Sequence, residues 1–184
     1  MSRKSHAHLV AGLLGSTMAA GLVVHFAFPA NHGLDLQLPR SVAKLEAAVG
    51  STLEERDRNR RNTYADFGFL ASYTALFVAA GTLLARQGPR WSRVLGALAV
   101  ATGVATGTLD VFENLTILRE LRPDADLPEL YSRVRGFSIP KWILAGVTDV
   151  SLASFLAFDR WGRALGLVAA LGGIGSLLTL KRIF

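Results

Sequence analysis

The stretch Val94–Leu118, V-L-G-A-L-A-V-A-T-G-V-A-T-G-T-L-D-V-F-E-N-L-T-I-L, runs 25 residues and carries no charge before Asp110 and Glu113. That is long enough to cross a hydrocarbon core of about 30 Å with some tilt. At 100° per residue, Ala99, Gly103, Gly107 and Asp110 fall within an arc of about 80°. Thr106 and Asn114 belong to the same arc, Glu113 sits at its edge, and Leu, Val and Ile fill the opposite face. Small residues let another backbone come close, and carboxyls inside a membrane face protein or water in preference to lipid. The helix therefore reads as the inner wall of a bundle.

Composition agrees with that reading. The chain has 184 residues, 51% of them hydrophobic and 18% charged, with the apolar residues gathered in long runs. One membrane domain over 1–184 follows. The formal charge of +6 comes from residues lying between apolar runs. They read as topology signals and lipid-phosphate contacts, which makes membrane lipids the expected partner and argues against nucleic acid. The absence of cysteine excludes disulfides, thiolate nucleophiles, iron–sulfur clusters and Cys-ligated zinc. Sixteen of the 20 basic residues are Arg. With abundant Ala and Gly, that suggests a GC-rich bacterial genome and hence a plasma membrane.

Working outward, five transmembrane helices are expected, at about 9–29, 67–85, 94–118, 137–158 and 161–180, in an all-α integral membrane bundle. The first follows Arg3 and Lys4 and is long for a signal peptide, so it reads as an uncleaved span. The last is Gly-rich, and a shallow or re-entrant segment is its alternative. Residues 30–66 form a long polar segment in which Ser41 is placed to cap a helix. Val42, Leu45, Val49 and Leu53 recur at helical spacing, which suits a helix on the membrane surface. A charged helix then leads into the second span, with Glu54–Arg58 and Asp57–Arg61 as i,i+4 pairs. Residues 119–136 read as a mixed-charge loop, and Pro140 as part of the first turn of the fourth span.

Arg86, Arg90 and Arg93 in one short turn, with Arg3 and Lys4, place the N-terminus on the cytoplasmic side. In any orientation the two long loops share one side. The end of span 1, the start of span 2, the end of span 3 and the start of span 4 meet there. Those places hold His25, Asp66, the Asp110/Glu113/Asn114 trio and Lys141, with Tyr73 on the Asp66 face and Asp149 on the Lys141 face. A ligand-binding site of Asp66, Tyr73, Asp110, Glu113, Asn114, Lys141 and Asp149 is expected. Its carboxyls outnumber its one ammonium, so a proton, cation, water or loop arginine must compensate.

Such a pocket suits binding or transport of an ion, a proton or a lipid-like ligand. A membrane enzyme acting on a lipid or isoprenoid is an alternative, with Asp110, Glu113 and Lys141 as its catalytic residues. A third reading is a packing lock in a structural subunit, bound to a membrane partner or to its own copy. His25 and His32 lie on the same side and could join Asp66 or Glu113 in a metal site, His25 being the candidate ligand and His32 sitting beside Gly33 in a loop; no cofactor is specified by any motif.

Overall fold

The computed structural model describes residues 3–27, 33–86, 89–157 and 160–181, and every regular element among them is helical. In chain order these are α1 (Arg3–Ala27), α2 (Gly33–Gln37), α3 (Val42–Val49), α4 (Leu53–Ala85), α5 (Arg90–Glu120) and α6 (Leu127–Ala153). A 3₁₀ turn, Ser154–Ala157, leads to α7 (Arg160–Leu180). Two helices, α4 and α5, are long and apolar enough to cross a membrane. Shorter apolar runs lie at His8–Leu22 in α1 and Arg163–Thr179 in α7.

Local chemistry sets the helix ends. Ser41 accepts from the Lys44 amide and starts α3 as expected. Thr52 and Glu55 form a reciprocal capping box that starts α4, the Thr52 side chain taking the Glu55 amide and the Glu55 carboxylate taking the Thr52 amide. Backbone hydrogen bonds from Thr52 and Ser51 hold the exposed Glu55 carboxyl below its usual pKa. Glu54–Arg58 pairs at 3.4 Å. Asp57 pairs with Arg60 in place of the expected Arg61, at 2.6 Å one residue earlier on the helix. The segment 119–136, expected as a loop, is largely helix: Asp126 accepts from the Glu129 amide, Pro128 follows, and α6 begins at Leu127. Pro140 consequently lies inside α6 instead of in its first turn.

The long helices pack in sequence order, with α1 on α4, α4 on α5, α5 on α6 and α6 on α7. The α5 face of small and polar residues is the buried one, from Gly96 and Ala99 through Gly103, Gly107, Asp110, Glu113 and Asn114. Its glycines allow close approach. A methyl group on Gly81 of α4 would stand 2.8 Å from the Gly96 carbonyl oxygen, and one on Gly96 would strike the backbone of Gly81 and Ala85. Only a pair without side chains fits this crossing.

The two ends of the bundle differ. At one, Val10, Leu84, Ala99, Leu152, Phe155 and Ala169 join in an apolar cluster. At the other, α2 and α3 fold over the tips of α5 and α6. There Leu36, Leu45, Ala48 and Val49 bury against Ile117, Leu121 and Val134. The apolar face of α3, read from sequence as membrane-seeking, thus packs on protein, although Leu53 remains 75% exposed. Each fully buried leucine there contributes about 1.5–3 kcal/mol, enough to hold an eight-residue helix that would not persist alone.

Candidate functional site

Beneath this cap three helices each present one polar face. Spacings of three, four and seven residues stack side chains on a helix. They align Asp110, Glu113 and Asn114 on α5, Ser138 and Lys141 on α6, and Asp66 and Tyr73 on α4. Lys141 Nζ donates to Glu113 Oε1 at 2.6 Å and to Asp110 Oδ1 at 2.9 Å. Its contact with Gln37 Oε1 of α2 is longer, at 3.5 Å. The Tyr73 hydroxyl donates to Asp110 Oδ2 at 2.6 Å, and Asn114 Nδ2 donates to Asp66 Oδ2 at 2.8 Å. Ser138 Oγ lies 2.5 Å from Glu113 Oε2 and 2.6 Å from the Gln37 carbonyl oxygen.

Little water reaches these groups. The side chain of Glu113 is 0% exposed, that of Lys141 6% and that of Asp110 7%. Phe69 and Phe77 flank the Tyr73 ring with centroids 5.5 Å away on either side. With Asp110 and Glu113 both ionised, the Lys141 ammonium leaves one negative charge in excess, and Asp66 adds to it. Buried charge of this kind is tolerated only when paired or neutralised.

Four of the nearby arginines are engaged elsewhere. Arg56 and Arg60 donate to the Arg122 and Leu121 carbonyls at the C-terminal end of α5, where a cation suits the helix dipole. Arg135 donates to the Pro39 carbonyl at 2.9 Å and Arg133 pairs with Glu129, so these two anchor the cap and the surface of α6.

Asp66, Tyr73, Asp110, Glu113, Asn114 and Lys141 therefore come together. Asp149 does not. It lies eight residues past Lys141, about 12 Å along α6, and turns to α7. There it hydrogen-bonds Ser176, and its carboxyl atoms would lie 3.0–3.1 Å from a methyl group on Gly172. The arc shared by Lys141 and Asp149 in projection conceals this axial distance. The His25 side chain and His32 lie outside the described residues. Among the described residues no three His, Cys, Asp or Glu side chains converge as metal ligands.

Sequence reasoning missed three participants. Ser138 stands three residues before Lys141, a spacing that marks a shared face. Gln37 enters only through the fold of the cap. Glu120 is 0% exposed at the end of α5, and neither of its carboxyl oxygens has a hydrogen-bond partner among the described residues.

Among the described cavities none is lined by Asp110, Glu113 or Lys141. A space of about 30 Å³ borders Asp66, Asn114 and Gln37, room for a water molecule. A much larger groove of about 710 Å³ lies between α1, α4 and α5, with an apolar lining that includes Leu13, Leu70, Ala75 and Val104. None of the cluster's charged side chains lines it. No protein-family model matches the chain, and no curated protein or solved structure is significantly similar to it.

Proposed function

We propose that the chain is a five-span bundle of a bacterial plasma membrane, and that its capped polar cluster takes up and releases a proton near one face of the bilayer. The supporting observation is the pair of buried carboxyls, Asp110 and Glu113, sharing the Lys141 ammonium. One added proton makes the trio electrically neutral. The same proton would relieve the excess negative charge without bringing any further ligand into the cluster.

Membrane placement rests on α4 and α5 and on the outward faces of the other helices. Met18, Leu22 and Phe26 on α1, Val150 on α6, and Leu171, Ile174 and Leu178 on α7 are all more than half exposed. Apolar surface on this scale calls for a cover, and lipid supplies it. With the Arg86–Arg93 turn inside, the cap and the cluster face the outer side.

A packing lock is the second reading, favoured by the acceptors that surround all three protons of Lys141. Proton uptake by the protein in lipid nanodiscs, measured in unbuffered solution for wild type and Glu113→Gln, separates the two. The proton-binding reading expects the variant to take up a single proton fewer over the titration. Identical uptake curves would leave the lock.

A further inference from the structure

The cap is tied to the cluster through a hydroxyl with more acceptors than it can serve. Ser138 Oγ lies 2.5 Å from Glu113 Oε2, 2.6 Å from the Gln37 carbonyl oxygen and 2.9 Å from the Val134 carbonyl oxygen. A serine hydroxyl has one proton to give. The Val134 carbonyl lies four residues back in α6 and already receives a helical amide. Gln37 ends α2, so its carbonyl has no helical donor.

When Glu113 is ionised, the charged carboxylate is the stronger acceptor and takes the Ser138 proton. The Gln37 carbonyl is then left 2.6 Å from an oxygen that offers it no hydrogen. When Glu113 Oε2 carries a proton, the carboxyl donates to Ser138 and Ser138 donates to Gln37. Both short contacts become hydrogen bonds. The exchange takes up one proton from water, and no other covalent bond forms or breaks. The exchange leaves Asp110 Oδ1 and Glu113 Oε1 as acceptors for Lys141, which donates to both in the structure.

We infer that the α2–α3 cap is a proton-operated lid, latched through Ser138 when Glu113 is protonated and loosened when it ionises. This rests on the proton-binding reading above. The charged and titratable groups around Glu113 are Asp110 and Glu120 on its own helix, Lys141 on α6, and Tyr73 on α4 with Asp66 behind it. From the element that moves, the neutral Gln37 contacts the cluster, and Asp35, Lys44 and Glu46 are the charged residues of that element. Arg135 on the Pro39 carbonyl, Asn59 on the Ala48 and Val49 carbonyls and Arg56 on the Gly50 carbonyl also hold the cap, whatever the state of Glu113.

The cysteine-free chain permits a direct test. Ala48, 1% exposed under the lid, and Ala47, exposed beside it on α3, are each replaced by cysteine. Both proteins are labelled with a maleimide in nanodiscs, and the ratio of the two rates cancels the intrinsic pH dependence of the thiol. The lid predicts that the Ala48→Cys to Ala47→Cys ratio rises about tenfold from mildly acidic to mildly alkaline pH, equivalent to about 1.4 kcal/mol in the opening equilibrium. In the Glu113→Gln background the amide N–H replaces the carboxyl O–H as donor to Ser138, and the ratio stays low throughout. In Ser138→Ala the latch is gone and the ratio does not change with pH. Persistence of the wild-type pH response in Glu113→Gln, or in a folded Ser138→Ala protein, would overturn the lid. So would a flat wild-type ratio alongside intact proton uptake at Glu113, which would spare the proton-binding reading. Loss of the uptake difference itself would remove both.

Discussion

Replacing Lys141 with methionine keeps an unbranched side chain, one heavy atom shorter, and deletes its charge. In the folded protein that charge lies 2.6 Å from Glu113 Oε1 and 2.9 Å from Asp110 Oδ1, with all three side chains at most 7% exposed. At an effective dielectric of about 20, unit charges about 3 Å apart attract by about 5–6 kcal/mol. Desolvation of the ions offsets much of this. What survives on deleting one partner is the burden of the other left unpaired, about 3–5 kcal/mol. Against a typical total of about 5–15 kcal/mol, Lys141→Met should remove about a fifth or more of the stability. Glu113→Leu alone leaves the ammonium on Asp110 and should cost about 1–3 kcal/mol. The double variant removes the donor and one acceptor together. It should recover about 2 kcal/mol relative to the sum of the single losses, with Tyr73 still donating to Asp110. Denaturant unfolding in micelles, followed by circular dichroism, measures the full cycle. A Lys141→Met loss below about 1 kcal/mol, the range of exposed ion pairs, would refute the buried-pair argument, as would strict additivity in the double variant.

Three further outcomes follow from the same structure. Gly96→Ala should destabilise the α4–α5 crossing by about 1–3 kcal/mol through overpacking, because its methyl group meets backbone and not a side chain that can turn away. An unchanged unfolding midpoint would contradict that close approach. The Glu55 carboxyl has a lowered folded pKa, so its support for the start of α4 is complete above its unfolded value, about 4.3, and is lost as pH falls through the folded value. Amide exchange in the first turn of α4 should accelerate with acid in wild type and lose that dependence in Glu55→Gln, and equal profiles would refute the capping account. Single cysteines at Ala47 and Ser132 should react with an impermeant reagent from the same side of a vesicle, and one at Arg90 from the other. Any different partition would break the five-span topology.

The inner wall of the bundle was legible in Val94–Leu118 because helical periodicity turns residue spacing into a face, and the buried residues of α5 are those the period selects. Convergence of Asp66, Asp110, Asn114 and Lys141 follows from alternation of direction between successive long helices, which matches helix ends without knowledge of packing. The cap was not legible. An apolar stripe of Leu45, Ala48 and Val49 is equally suited to a membrane surface or to protein, and only the position of Ile117, Leu121 and Val134 decides between them. Gln37 and Ser138 share the cluster across about a hundred residues of sequence separation, a pairing that no local pattern encodes. Angle alone places Asp149 with Lys141, and its axial offset carries it to α7. The early start of α6 was hidden by Pro123, Pro128 and the mixed charges around them, although Asp126 before Leu127-Pro128 is a helix-start pattern.

The most direct test of the account is the infrared spectrum of the protein in nanodiscs, recorded through a pH titration for wild type and Glu113→Gln. The account predicts a carboxylic-acid carbonyl band in wild type that gives way to carboxylate as pH rises and is missing from the variant. A wild-type spectrum with no protonated carboxyl that depends on Glu113 at any pH would contradict it, leaving Lys141, Asp110 and Glu113 as a static packing lock.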